Sequence, residues 1–126
     1  MLRKRYVALT PEEWVRQHFV HFLIEKKSYP AALMANEVGM KIGGKRLRAD
    51  SLLYRKDGMA PRMIIEYKAP TIKITKKVFD QASAYNIMLN VDYIVISNGI
   101  DHYCCKVEQD GQSLSFLNDI PSYEEL

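Results

Sequence analysis

Asp50, Glu66 and Lys68 have the types and spacing suited to hydrolysing a phosphodiester. In the run Ile64-Ile65-Glu66-Tyr67-Lys68, strand alternation puts Glu66 and Lys68 on one face and Ile65 and Tyr67 on the other. A carboxylate and an ammonium thus emerge side by side from an apolar strand. Asp50 interrupts the preceding strand-like run Arg46 to Leu52. If the two strands pair antiparallel across the 56–61 turn, Asp50 reaches the neighbourhood of Glu66. Two carboxylates that close repel unless a cation lies between them. Hard oxygen donors with open positions suit Mg²⁺, which keeps several waters and accepts phosphate oxygens. A lysine beside such an ion stabilises charge on the phosphate and orients the attacking water. With eight Glu and eleven Lys in 126 residues, Glu-x-Lys is expected by chance, so its context carries the reading. Glu25-Lys26-Lys27 is such an accident, at a helix end where positions i and i+2 diverge.

The elements that must position these groups are legible around them. Thr10-Pro11-Glu12-Glu13 has the form of a helix start, with Thr10 as cap and Glu13 placed for a capping-box bond. Trp14, Val15, Phe19, Phe22 and Leu23 then predict an amphipathic helix over 11–27, followed by a helical turn at 30–34. Residues 37–42 read as a strand, Gly43-Gly44 as a turn, and Arg46 to Arg55 as the hairpin partner. After the turn Lys56-Asp57-Gly58, Met63 to Lys68 makes a third strand, stopped by Ala69-Pro70. Thr75 opens a second helix, with Val78, Phe79, Ala82, Tyr85 and Leu89 at helical spacing. That helix crosses to a buried strand, Tyr93 to Ile96, and His102 to Glu108 with Leu114 to Leu117 closes a hairpin around Asp110-Gly111. The expected fold is one α/β domain over 1–126. Its mixed sheet is mostly antiparallel, gains a parallel strand through the second helix, and is flanked by two main helices.

Charge is unevenly spread. Residues 41–77 hold eleven Lys/Arg against three Asp/Glu, whereas residues 78–126 hold one against eight. A segment that basic attracts a polyanion, and Lys45, Arg46, Arg48, Lys73, Lys76 and Lys77 are the side chains expected to contact DNA phosphates. No run approaches the roughly 18 apolar residues of a membrane span, and the start is too short for a signal-peptide core. Cys104 and Cys105 are adjacent, so on a strand they face opposite ways and read as reduced, packed thiols. The expectation is a cytoplasmic protein.

Gln81-Ala82-Ser83-Ala84-Tyr85 adds an independent signal, a Gln and a Tyr one helical turn apart beside the proposed cleft. The ordered series Arg48-Ala49-Asp50, Ile64 to Pro70, Gln81 to Asn86 and Tyr93 to Gly99 resembles the PD-(D/E)xK nucleases. Within them it resembles the N-terminal nuclease domain of type I restriction enzyme R subunits, over roughly residues 8–110. The resemblance implies a restriction-endonuclease-like core and a Mg²⁺-dependent endonuclease, with Mn²⁺ as substitute. Asp50, Glu66 and the Tyr67 carbonyl would hold the ion, Lys68 would be the catalytic lysine, and Gln81 and Tyr85 would border the site. Glu13 and Glu37 are the accessory carboxylates. DNA, other restriction-system subunits or a second copy are the partners implied. Ala49 stands where the family's motif has proline, and no motor domain follows, as in a stand-alone relative or an excised piece.

Other readings have less behind them. A surface ion-pair cluster would account for Asp50, Glu66 and Lys68 without chemistry, and a non-catalytic nucleic-acid-binding or assembly module is the alternative function. His18, His21 and Glu25 have the spacing of a helical metal face. His18 falls between Trp14 and Phe22, however, so it is expected in the core. Gly39 to Lys45 imitates a phosphate loop but lacks the following Ser/Thr and leads into a strand.

Overall fold

The computed structural model describes residues 10–42, 44–56, 60–80, 90–108 and 114–126. Helix α1 spans Pro11–Lys27. The Thr10 hydroxyl accepts the Glu13 N–H at 3.1 Å, satisfying one of the first-turn donors that have no helical partner. Glu12 and Glu13 in the first turn and Lys26 and Lys27 in the last complement the helix dipole, and Ser28 ends the helix in the left-handed region. Val15, Phe19 and Leu23, four residues apart, form its buried stripe. That stripe is narrower than the sequence suggests: Trp14 is 40% exposed and lies against the His18 ring at 4.2 Å. His18 is itself exposed, with Nδ1 3.0 Å from the Trp14 carbonyl, so it is a surface residue and not a core histidine.

A short 3₁₀ turn, Ala31–Leu33, leads into strand β1, Met34–Ile42, which is followed by β2, Lys45–Tyr54, and β3, Pro61–Tyr67. β1 begins three residues earlier than expected, because Met34, Ala35 and Asn36 pair with Leu53, Leu52 and Ser51. Backbone over 76–80 is helical, opened by Thr75, whose hydroxyl accepts the Val78 N–H. Strands β4, Tyr93–Ser97, β5, His102–Val107, and β6, Leu114–Leu117, complete a six-stranded sheet in sequential order. β3 and β4 are parallel and every other pair is antiparallel. The parallel step follows from the helical crossover, since a tight turn cannot join parallel strands.

Among the described residues each face of the sheet carries its own core layer, as its side-chain alternation demands. Met63, Ile65, Tyr67, Val95 and Cys104 pack with Val15, Phe19 and Leu23 of α1. Ile64, Ile94, Ile96 and Cys105 pack with Phe79 and Ile74 on the other side. β4 is buried along its whole length, which is why it reads as an unbroken apolar run. The adjacent cysteines belong to opposite core layers, and burial pushes both thiols up to about 12. Among the described residues no helix is long and apolar enough to cross a membrane.

Candidate active site

The sheet splits at Asp50. β2 pairs with β3 only from Ser51 to Tyr54, so residues 45–50 run on beside β1 alone. Beyond Ser51↔Ile65 the backbone ladder ends, leaving β3 amides in need of acceptors. The Asp50 carboxylate takes that place and accepts the Tyr67 N–H at 3.0 Å. Asp50 Oδ2 therefore lies against the Glu66–Tyr67 peptide, at the end of the strand that carries both. Across the other edge of β2, the pairs Asn36↔Ser51 and Val38↔Ala49 place Glu37 opposite Asp50. Glu37 has φ 54°, a left-handed backbone costly for a residue with a Cβ. The pairing of β2 with both neighbours is thus interrupted at Asp50.

A buried hydroxyl chain braces this fork. The Tyr67 phenol donates to Ser51 Oγ at 2.7 Å, and Ser51 Oγ donates to Asn36 Oδ1 at 2.5 Å, linking β3, β2 and β1. The Phe19 ring meets the Tyr67 ring edge-on at 6.2 Å, and burial raises the phenol well above its ordinary pKa, so it stays a hydrogen-bond donor.

A cavity of about 220 Å³ opens beside the fork. The first turns of α1 supply Thr10, Glu12, Glu13 and Arg16; the hairpin supplies Glu37, Arg48 and Asp50; Tyr67 forms the remaining wall. Four carboxylates face two guanidiniums, leaving two negative charges in excess. Arg16 grips Glu13 with two donors, Nε to Oε2 at 2.9 Å and Nη2 to Oε1, and the bond to Glu13 raises the guanidinium's already high pKa. Arg48 and Glu37 stand 4.0 Å apart on the exposed rim. A second cavity, of about 300 Å³, lies on the opposite face among Ile74, Thr75, Lys76, Phe79, Tyr103 and Phe116. None of its lining among the described residues is a carboxylate.

The donor chemistry of the first cavity fits a hard divalent cation. Among the described residues no three acidic, His or Cys side chains already converge into a cage. Mg²⁺ does not require one, because it binds through one or two carboxylates and keeps its remaining waters.

The family model for the type I restriction enzyme R protein N terminus (HSDR_N) matches residues 11–121. The chain belongs to that family. The match takes in both helices and all six strands, and it supports a role in a restriction system. A search of curated proteins finds no match.

In this R-protein N-terminal domain the residues singled out from sequence fall in three places. Asp50, Tyr67, Glu13, Glu37 and Arg48 line the cavity. Glu66 and Lys68 are half-buried at the end of β3. Strand alternation puts them with Ile64, toward the second helix, and the Lys68 N–H extends the parallel ladder to the Ser97 carbonyl at 2.9 Å. Arg46, Lys73, Lys76 and Lys77 are exposed, Lys76 in an ion pair with Asp80 at 2.9 Å. Lys45 opens β2 at the far end of the hairpin. Gln81 and Tyr85 lie outside the described residues. Arg16 was not among the residues the sequence picked out. Its signal was the i, i+3 spacing from Glu13, which reads as an ordinary surface pair until the helix is docked beside Asp50.

Proposed function

We propose that this domain is the nuclease module of a restriction system, hydrolysing DNA phosphodiesters in the cytoplasm with Mg²⁺. The observation that carries the reading is the Asp50 carboxylate held against the Glu66–Tyr67 peptide where β2 leaves β3, in a chain of this family. Asp50, Glu66 and the Tyr67 carbonyl are the proposed ligands, with Glu13 and Glu37 as accessory carboxylates. The bound ion, Mg²⁺ or Mn²⁺ in its place, supplies Lewis acidity at the phosphoryl oxygen and a water of lowered pKa. Lys68, two positions beyond Glu66, is the proposed catalytic lysine, whose charge would stabilise the phosphate. Gln81 and Tyr85, outside the described residues, complete the proposed catalytic set. Lys45, Arg46 and Arg48 on the hairpin, with Lys73, Lys76 and Lys77 before and within the second helix, hold the DNA backbone without reading its bases. One such site cuts one strand, so a double-strand break takes two copies or two encounters.

The test is plasmid nicking in Mg²⁺. Asp50→Asn keeps an acceptor for the Tyr67 N–H while discarding the charge, so the fold survives and nicking falls by about a hundredfold or more. Lys68→Ala gives a comparable loss. Wild-type rates in both variants, at unchanged circular dichroism, refute the assignment. Salt-sensitive DNA binding by the wild type with no metal-dependent nicking makes the domain a non-catalytic binding module instead.

A further inference from the structure

Arg16 is an unusual neighbour for a metal-binding acid. Its side chain is 18% exposed, both of its hydrogen bonds go to Glu13, and both residues line the cavity that holds Asp50. The pair is part-buried and set in a cavity wall otherwise rich in carboxylates. A cation so placed neutralises the acids when no metal is bound and opposes a second cation entering.

We propose that Arg16 is the site's resident counter-cation and its phosphate ligand: it holds Glu13 while the cavity is empty of metal, and yields Glu13 to an arriving divalent ion. The freed guanidinium then turns to a non-bridging oxygen of the DNA phosphate, for which its planar fork is suited. This rests on the metal-dependent reading above. The exchange explains the charge balance of the cavity. The two-charge excess of carboxylate over guanidinium, counted with Arg16 included, matches one divalent ion.

The experiment is calorimetric titration of Mn²⁺ into the wild type, Arg16→Gln and Arg16→Lys, followed by binding of a duplex with phosphorothioate linkages in Mn²⁺. Arg16→Gln should bind Mn²⁺ roughly tenfold more tightly, because a competing charge is gone, and should bind the duplex several-fold more weakly. Arg16→Lys keeps the charge and should return Mn²⁺ affinity toward wild type, separating charge from packing. Unchanged or weaker Mn²⁺ binding in Arg16→Gln, with or without a lowered melting temperature, makes Arg16 a brace for Glu13 and overturns the exchange. Undiminished duplex binding overturns the phosphate contact. Absence of Mn²⁺ binding by the wild type sinks the metal-dependent reading itself, and the exchange with it.

Discussion

Asp50 ends up beside Glu66 and Tyr67 because a side chain substitutes for a missing strand bond. Strand pairing brings Asp50 to the Glu66–Tyr67 peptide and its bond to the Tyr67 N–H fixes that approach, while alternation turns the Glu66 and Lys68 side chains toward the second helix. What alternation could not supply was the other half of the cavity. Glu13 had a sufficient explanation as a helix-start residue, and Arg16 joins it in the cavity wall only because α1 docks on the face of Tyr67. The Tyr67–Ser51–Asn36 chain was equally hidden, since it joins three strands through side chains with no local spacing. Its contribution is measurable. Tyr67→Phe removes one buried hydrogen bond and keeps the ring packing, so urea unfolding should show a loss of about 1 kcal/mol at an unchanged slope. No loss would mean the chain does not brace the fork.

At the scale of elements, the parallel β3–β4 step and the two faces of the sheet were readable because β4 is apolar throughout and both helices announce their starts with a Thr cap. Trp14 and His18 are more exposed than expected because whether an amphipathic residue is covered depends on how the neighbouring element sits, while β1 starts early because Met34 to Asn36 find partners on β2. His102 opens β5 with its ring 4.8 Å from Phe19 and 6.0 Å from Phe22, and with Nδ1 2.6 Å from Ser97 Oγ. Partial burial lowers its pKa below the ordinary 6.5, against the opposing pull of Asp101 and Asp119. The folded state thus binds its proton less readily than the unfolded one. The stabilisation is present above the unfolded pKa and is lost as pH falls through the folded value. Melting temperature should drop as pH falls below about 6.5, and by less in His102→Phe, which keeps the stack without the titration. Identical pH profiles would place the loss elsewhere.

For the whole molecule, the sharp division between a basic middle and an acidic end has a geometric counterpart. Lys41 and Arg46 are cross-strand partners on the β1–β2 hairpin that runs past β3, and Arg48 follows them toward the cavity, while Lys73, Lys76 and Lys77 lie before and within the second helix. If these side chains hold DNA phosphates, each lysine replaced by alanine should lower the salt-dependence slope of duplex binding by about 0.9, whatever the duplex sequence. A slope unchanged by replacing Lys73, Lys76 and Lys77 together would remove them from the interface. The claim beneath all of this is that a divalent ion is held where β2 parts from β3. Anomalous diffraction from crystals soaked in Mn²⁺ tests it most directly. The account predicts a peak in contact with Asp50 at the Glu66–Tyr67 peptide, lost in Asp50→Asn; a saturating soak that leaves this position bare, or a peak indifferent to that substitution, would contradict it.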